Sequence, residues 1–238
     1  MDAGTAGQGQ RGPGAWLHAK VERAQALVSV DPAAACAAAE GLLAELRHRR
    51  TDLTELLDVD TIDGVAETVI GIRNHAVLAL RPGRAGAGET FIRSVVDGAV
   101  WSDWRWGVPS SVTLAQAILE SDWGRSAPGN NLFGLKGEGP AGSTLRPVVE
   151  YRHGRRSHRS ARFRAYASRG EAVKDHGRIL GESTRYRRAR ASSEDLAGYA
   201  GALTGTYATD PRYASKLLHL IAARQLDRFD WINPSPER

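Results

Sequence analysis

The sequence predicts a mainly helical protein of the α+β class, in which a small helical N-terminal domain precedes a larger helical domain with one β-hairpin lobe. The first observation is that apolar residues recur about every three to four positions over most of the chain, the spacing of amphipathic helices. The second is a run rich in glycine at residues 81–88, which separates two helical regions. The third is one stretch, residues 148–165, in which two short segments have the composition of β-strands.

The N-terminal part is predicted to hold a helical domain over residues 15–81, preceded by a leader. Residues 1–14 are rich in Gly, Ala and Gln and lack an apolar run, so we expect a disordered leader rather than a signal peptide. Within the domain, Asp31 and Pro32 are the residue types preferred at an N-cap and at the first helical position. No catalytic signature occurs here, and we interpret these helices as a scaffold or as a docking module for a protein partner.

A linker is predicted at residues 82–88, a second domain at residues 89–230 and a short tail at residues 231–238. Within the second domain the apolar spacing predicts helices, and a β-hairpin is predicted to turn at His153-Gly154. Ser110 or Ser111 is expected to cap the second of these helices, and Gly124 to end it. The predicted helices are Glu89–Trp106, Ser110–Asp122, Ser168–Glu182, Ser193–Leu203 and Pro211–Arg224, and the predicted strands are Val148–Tyr151 and Ala161–Ala165.

Positive charge is concentrated in one region of the second domain. Between Arg152 and Arg190 there are thirteen Lys or Arg residues against three Asp or Glu, within a formal net charge of +5. Such a region favours a polyanionic partner, either nucleic acid, an anionic wall polymer or peptidoglycan, although a solvated basic face is an equal alternative. Because no helix-turn-helix, zinc-finger or RNA-binding motif accompanies the charge, we expect no nucleic acid partner.

Neither a membrane span nor a cofactor is expected from the sequence. No stretch approaches the about eighteen consecutive apolar residues that a spanning helix needs. The histidines lack the spacing of a zinc site and have no cysteine companions, so we expect no metal.

One glutamate has a position suited to glycoside hydrolysis, a reaction that needs a carboxylic acid to protonate the departing oxygen. Glu120 follows the apolar run 114–119 at a predicted helix C-terminus, where apolar surroundings and the helix dipole both raise the pKa of a carboxyl group. Position alone is weak support, because most glutamates at helix ends are solvated surface groups.

The residues around Glu120 make a more specific pattern. The stretch Val108–Gly124 closely resembles the catalytic helix of glycoside hydrolase family 73, the bacterial and phage N-acetylglucosaminidases of the lysozyme-like superfamily. Three further segments resemble motifs of that family in the same order: Asn130–Lys136, Phe163–Tyr166 and Tyr207–Leu217. The resemblance covers the second domain and does not extend to residues 1–85.

This resemblance implies a lysozyme-like helical fold, with a β-lobe beside a glycan groove, and roles for individual residues. Glu120 aligns with the general acid of the family, and Tyr207 aligns with a tyrosine placed near the scissile bond. The segment that holds Asn131 and Phe133 aligns with a mainly structural loop behind the cleft. Asp122 departs from the family, which usually has glycine there; it could raise the pKa of Glu120 or simply face solvent. The candidate substrate-binding residues are Trp123, Asn131, Phe133 and Tyr213.

The second carboxylate is less clearly indicated. Glu150, on the predicted hairpin, resembles a β-lobe glutamate of the family and could activate water opposite Glu120, as an inverting mechanism requires. The alternative is assistance by the 2-acetamido group of the substrate, which would leave Glu150 a positioning role. Glu138 is a competitor in a glycine-rich loop.

The expected function is therefore that of a peptidoglycan endo-β-N-acetylglucosaminidase, which cleaves the N-acetylglucosaminyl-β-1,4-N-acetylmuramic acid bond. A muramidase or lytic transglycosylase on the same fold is an alternative, since one catalytic glutamate serves all three. A non-catalytic wall-binding module is a third. The substrate lies outside the cytoplasmic membrane, yet no export signal is visible in the sequence, so the route of export is left open.

Overall fold

The computed structural model describes residues 13–83, 85–152 and 155–231, with the side chains of all of these except Pro13 and residues 149–158. The predicted leader up to residue 12, the tail after residue 231 and the predicted turn at His153-Gly154 lie outside the described residues. The chain divides into two compact units, of which one ends at Leu80 and the other begins at Arg81. No helix in the described ranges is long and apolar enough to cross a membrane.

The described part of the first unit consists of helices joined by short turns. Asp31 caps its second helix as predicted, since its side chain accepts a hydrogen bond from the Ala34 N–H at 3.0 Å. Arg73 is buried and its Nε donates to Glu40 at 3.0 Å, which ties the fourth helix to the second. The helices are α1 (Pro13–Leu27), α2 (Pro32–His48), α3 (Arg50–Thr54) and α4 (Val59–Leu80).

The second unit is mainly helical with one two-stranded antiparallel sheet, which confirms the predicted fold class. Short 3₁₀ helices occur at Pro128–Asn130, Thr184–Tyr186 and Leu226–Phe229. The other elements are α5 (Ala87–Arg93), α6 (Val96–Trp106), α7 (Ser110–Ser121), β1 (Ser143–Arg152), β2 (Arg155–Arg164), α8 (Arg169–Glu182), α9 (Arg187–Arg190), α10 (Leu196–Leu203) and α11 (Tyr213–Arg224).

Helix α7 is the central element of this unit. It packs against α6, α8, α11 and the last 3₁₀ helix, and residues 110–118 are all buried. Around it, α6 and α8 approach closely because α8 has glycine where the two helices meet. A Cβ at Gly177 would lie 2.4 Å from the Cβ of Ser102, and one at Gly181 would lie 2.5 Å from the Cβ of Trp106.

The hairpin is longer than the sequence predicts. Strands β1 and β2 pair in register from Ser143 opposite Arg164 to Arg152 opposite Arg155. Apolar alternation marks only part of this length, whereas backbone pairing also continues through polar residues, since it needs only free N–H and C=O groups. Pro147, which lacks an N–H, is accommodated because both strands are edge strands.

The single helix predicted over Glu89–Trp106 is wrong in its continuity, because α5 and α6 are separate. The break falls at Ser94 and Val95, where the Ser94 hydroxyl donates to the Phe91 carbonyl at 2.7 Å and Val95 leaves the helical region with φ of −129°. Apolar periodicity continues across this break, so the pattern alone could not locate it.

Candidate active site

Glu120 lies in the last turn of α7, where this buried helix reaches solvent. Most of the helix is buried, whereas Glu120 itself is exposed. The helix ends because Asp122 adopts the left-handed conformation, with φ of 50°, and its N–H bonds the Ile118 carbonyl. The predicted terminator, Gly124, lies two residues further on. A carboxyl group is therefore presented at the open end of a helix whose body is fixed in the core.

Asp122 faces solvent and does not interact with Glu120. Its carboxylate accepts hydrogen bonds from Arg125 at 3.0 Å and 2.6 Å, and its side chain is 62% exposed. This pairing with Arg125 lowers the pKa of Asp122. Of the two sequence interpretations of this residue, the solvent-facing one is correct. The left-handed backbone also explains the usual glycine of the family, since glycine adopts positive φ without a steric cost.

A chain of two hydrogen bonds leads from the core to Glu120. The Gln116 side-chain amide donates to the Tyr213 hydroxyl oxygen at 3.0 Å, and the Tyr213 hydroxyl donates to Glu120 Oε1 at 2.9 Å. Gln116 and Glu120 share a face of α7 because they are one turn apart. Tyr213 is buried at the start of α11. The packing of α11 on α7 thus places the Tyr213 hydroxyl next to the Glu120 carboxyl group.

The surroundings of Glu120 raise its pKa above the ordinary value for glutamate. Partial burial of the carboxyl group is the larger cause, because it penalises the charged form, and the hydrogen bond from Tyr213 opposes it. Burial also raises the pKa of Tyr213, so its hydroxyl stays protonated at any physiological pH. A carboxyl group that holds its proton to higher pH and still meets solvent is suited to general acid catalysis.

Tyr207 lies beside Tyr213 and extends the site towards Phe133. The two rings are stacked, with centroids 5.8 Å apart and planes at 22°, and the Tyr207 hydroxyl donates to the Phe133 carbonyl at 3.5 Å. Burial, followed by the negative charge of Glu120, raises the pKa of Tyr207 well above its ordinary value. The structure therefore brings four of the predicted site residues together, namely Glu120, Phe133, Tyr207 and Tyr213.

His176, which the sequence reasoning did not single out, completes this aromatic row. Its ring is stacked on Phe133 at 3.8 Å and lies edge-on to Tyr207 at 5.7 Å. Full burial lowers the pKa of His176 to about 3, so it is neutral. Neither ring nitrogen has a hydrogen-bond partner among the described residues. Its spacing in the sequence could have indicated that His176 is buried, because it shares a helical face with Val173 and Leu180, which are both buried.

Asn131 stabilises the loop behind the site through three side-chain hydrogen bonds. Its amide nitrogen donates to the carbonyls of Leu135 and Arg164 at 2.8 Å and 2.9 Å, and its oxygen accepts from the Leu135 N–H at 2.9 Å. Asn130 similarly donates to the Tyr166 carbonyl at 3.0 Å. These bonds join the loop to the end of β2 and support the mainly structural role that the family resemblance implies.

Trp123 is placed apart from the tyrosines. It packs edge-on against Phe91 at 6.1 Å, and the Arg224 guanidinium lies 4.7 Å from its ring centroid. Gly88 and Arg224, its neighbours, line a cavity of about 480 Å³ formed with Glu89 and the end of α11. These contacts favour packing as the role of Trp123, and its predicted substrate contact is not supported by any neighbour in the Glu120 cluster.

The two other candidate carboxylates lie on the hairpin and before it. The backbone of Glu150 is in β1, with its Cα opposite that of Ser157, but its side chain lies outside the described residues. Glu138 is exposed and lies 3.9 Å from Arg162. Glu138 is therefore not a described partner of Glu120, and the role of Glu150 stays a prediction.

The basic region is partly neutralised by bonds within the domain. Arg164 and Arg178 both bind Asp175, each at 2.7 Å, and Arg190 donates to backbone carbonyls at 2.7 Å and 2.9 Å. Arg159, Arg162, Arg187 and Arg188 are exposed to solvent. The positive surface is therefore smaller than the sequence count suggests.

Together, the buried central helix, its terminal carboxyl group and the β-hairpin define a lysozyme-like glycoside hydrolase domain. A family model described as mannosyl-glycoprotein endo-β-N-acetylglucosaminidase matches residues 101–226, slightly more than half of the chain. The chain belongs to this glucosaminidase family, glycoside hydrolase family 73, as its motifs predicted.

Individual relatives agree with the family but differ in their names. The exo-glucosaminidase LytG of Bacillus subtilis is 36% identical over 155 residues, which make up 62% of this chain and 55% of that protein. A Lactococcus lactis protein named "Probable N-acetylmuramidase" is 37% identical over 152 residues, 60% of this chain and 35% of that protein. The chain thus spans about half or less of the length of these relatives.

A solved structure shows the same fold. The catalytic domain of the autolysin Auto from Listeria monocytogenes superimposes with a TM-score of 0.57 and 33% identity, covering 66% of this chain and 95% of that domain. This likeness extends beyond fold alone because the sequences are also related.

Proposed function

We propose that this protein hydrolyses the glycan strands of peptidoglycan, as an endo-β-N-acetylglucosaminidase with Glu120 as its general acid. The observation that carries the proposal is the state of Glu120, a solvent-accessible carboxyl group whose pKa is raised by partial burial and which a buried tyrosine holds in place. Family membership and relatives named for glucosaminidase or autolysin activity support the same substrate class.

The proposed reaction begins when Glu120 donates its proton to the glycosidic oxygen between N-acetylglucosamine and N-acetylmuramic acid. The bond from C1 to that oxygen then breaks, and the alcohol of the muramic acid residue leaves. Water adds to C1, either directly with its proton taken by Glu150, or after the 2-acetamido group has first closed on C1, in which case the Glu120 carboxylate takes the proton of the water. The Tyr207 hydroxyl, next along the aromatic row, is proposed to lie near the scissile bond.

Glu120→Gln is the direct test of the acid, with Glu194→Gln as its matched control because Glu194 is an exposed glutamate of the same domain for which no role in the site is proposed. We expect hydrolysis of purified peptidoglycan to fall at least about a hundredfold for the first variant and to stay at the native level for the second. Pelleting with peptidoglycan should be retained by both. Native activity in Glu120→Gln would refute the assignment, and binding without hydrolysis by the native protein would identify a wall-binding module.

The bond that is cleaved needs a product analysis, because a relative named as an N-acetylmuramidase keeps muramidase activity as a second candidate. Mass spectrometry of the digested muropeptides should find N-acetylglucosamine at the new reducing ends. Reducing-end muramic acid would identify a muramidase, and anhydro-muramic acid a lytic transglycosylase.

Glu150→Gln distinguishes the two routes of water attack. If Glu150 is the base, we expect the turnover rate to fall about a hundredfold or more. If the acetamido group assists, the variant should stay within about tenfold of native. An N-acetyl-thioamide analogue of the substrate, which alters only the assisting group, provides the complementary measurement.

Two further partners are proposed on the charge and domain pattern. The exposed arginines of the basic region, Arg159, Arg162, Arg187 and Arg188, suit an anionic wall polymer, and the helices before Leu80 suit a protein partner. The cell wall is the proposed place of action. Loss of salt-sensitive wall binding on replacing these arginines by glutamine would support the polymer contact.

A further inference from the structure

We propose that Gln116 and Tyr213 are positioning residues that direct the acid proton of Glu120 onto one of its two oxygens, Oε2. This inference rests on the proposed function of Glu120 as the general acid. It also assigns Tyr213 a different role from the substrate contact predicted by the sequence, because its hydroxyl group is engaged with Gln116 and Glu120.

The direction of the hydrogen-bond chain follows from the donor capacity of each group. A phenol has a single proton to donate, and its oxygen can accept in return. At Tyr213 the oxygen accepts the Gln116 amide at 3.0 Å, so the proton is free to point at Glu120 Oε1, 2.9 Å away. Tyr213 is buried, with 3% of its surface exposed, so water does not readily substitute for either partner.

The opposite orientation of the Gln116 amide is disfavoured because the Tyr213 hydroxyl has only one proton to donate. With its oxygen toward Tyr213, Gln116 and Glu120 would compete for one phenolic proton, and one of the two acceptors would be left without a donor. The orientation with nitrogen toward Tyr213 leaves Gln116 Oε1 without a partner among the described residues, but it satisfies the carboxyl group. A carboxylate is the stronger acceptor, so its hydrogen bond decides the orientation.

The direction of these hydrogen bonds determines which oxygen of Glu120 carries the acid proton. An oxygen that accepts the Tyr213 proton is a poor site for a proton of its own, so the acid form of Glu120 carries its proton on Oε2. Oε2 accepts no hydrogen bond from the described residues, and Glu120 is exposed to solvent at this end of α7. After proton transfer the same Tyr213 hydroxyl stabilises the new carboxylate, an interaction that strengthens as charge develops.

The titratable groups around Glu120 come from three places. Tyr213 approaches from α11, Tyr207 approaches from the segment before α11, and Asp122 follows Glu120 on its own chain but is turned to Arg125. His176 lies beyond Tyr207 and is neutral. Tyr213 is therefore the group whose removal should change the titration of Glu120 most.

The experiment compares Tyr213→Phe with Tyr199→Phe in the full chain. Tyr199 is a matched control, because its buried hydroxyl has no hydrogen-bond partner among the described residues and it lies on α10. The Glu120 carboxyl is titrated by ¹³C NMR with labelled glutamate, assigned by its absence in Glu120→Gln. We expect Tyr213→Phe to move the Glu120 titration to higher pH and Tyr199→Phe to leave it unchanged.

Kinetics provide the second readout. In Tyr213→Phe we expect kcat on soluble glycan fragments to fall roughly tenfold, as for a lost hydrogen bond to a charged group, with the alkaline limb of its pH profile shifted upward and KM within about twofold. Gln116→Met, which removes only the donor to Tyr213, should produce the same changes at smaller size. A raised KM with unchanged kcat and titration would overturn the proposal in favour of substrate contact.

The outcomes separate this inference from the proposed function. If Glu120→Gln keeps full activity, the general acid assignment itself fails. If Glu120→Gln is inactive while Tyr213→Phe has the native titration and pH profile, only the positioning role fails.

Discussion

The two ends of helix α7 both carry acidic side chains, yet in opposite circumstances. At its N-terminal end, Asp103 accepts hydrogen bonds from the Ser110 N–H and hydroxyl and from the Trp231 N–H, and Asp230 accepts from the Ser111 N–H at 2.6 Å. The Ser110 and Ser111 N–H groups belong to the first turn of α7, at the end of the dipole that favours negative charge. At the other end, Glu120 lies where the dipole disfavours charge.

The difference shows how one helix can be both anchored and reactive. Carboxylates at the N-terminal end satisfy donors and fix α7 to α6 and to the end of the chain, so their role is in stability. The carboxyl group at the C-terminal end is exposed to solvent and accepts one hydrogen bond, from Tyr213, so its position favours chemistry over stability. Four predictions test this contrast, from the largest expected effect to the smallest.

Removal of the Asp103 carboxylate at the N-terminal end of α7 should lower the free energy of unfolding the most. In Asp103→Ala the three donors that share Asp103 Oδ2 lose their acceptor in a buried site, and each unsatisfied donor costs roughly 1–3 kcal/mol, so we expect the free energy of unfolding to fall by about 5 kcal/mol. Urea titration followed by circular dichroism measures it. Asp103→Asn, which keeps one oxygen acceptor, should lose less. Equal stability of Asp103→Ala and the native protein would show that these bonds do not anchor the helix.

Asp230 should make stability depend on pH. Burial, with a contribution from the charge of Asp103, raises the pKa of Asp230 to about 7. Between about pH 4, where the unfolded carboxyl titrates, and pH 7, the folded state holds a proton that the unfolded state has lost. The free energy of unfolding should therefore fall as pH rises through this window, by up to about 4 kcal/mol.

Asp230→Asn keeps an acceptor for the Ser111 N–H but cannot titrate. The difference between the native protein and this variant in how the free energy of unfolding depends on pH therefore measures the contribution of Asp230. Urea unfolding at several pH values from 4 to 8 measures both. Parallel stability curves for the two proteins would mean that Asp230 is not protonated in the folded state near pH 6.

Glu120→Gln should be slightly more stable than the native protein, by less than about 1 kcal/mol at pH 7, although it is expected to be inactive. Glutamine still accepts the Tyr213 proton and carries no charge at the unfavourable helix end. The gain should disappear below about pH 4, where Glu120 is protonated in both states. Calorimetric melting at the two pH values, with Glu138→Gln as control, measures the difference. Destabilisation at pH 7 would place Glu120 among the anchoring acids.

Asp122→Gly should give the smallest gain, a slight rise in melting temperature. Glycine relieves the left-handed backbone at this position, with φ of 50°, and the exposed pair with Arg125 that is lost contributes little. Asp122→Ala should instead be destabilised, because alanine keeps the strain and loses the pair. Thermal melting resolves the order glycine, aspartate, alanine; an inverted order would show that the Arg125 pair outweighs the strain.

Sequence reasoning located much of α7 but not what holds its ends. The run Leu114–Leu119 predicted the helix and its motif predicted the role of Glu120, because both are local patterns. The predicted serine caps were wrong, since α7 begins after Pro109 without a side-chain cap from Ser110 or Ser111. The groups that bond its N-terminal end, Asp103 and Asp230, lie 7 and 119 residues away in the chain.

What the sequence by itself determined was the helical class, the glycine-rich break near residue 81 and the motifs that carry Glu120 and Tyr207. Periodicity and local motifs encode these because they depend on neighbours within a few turns. Only the tertiary structure decided that Tyr213 donates to Glu120, that Gln116 lies behind it and that His176 joins the aromatic row. The physical reason is that a pKa and a hydrogen-bond direction depend on burial and on partners that folding alone brings from distant parts of the chain.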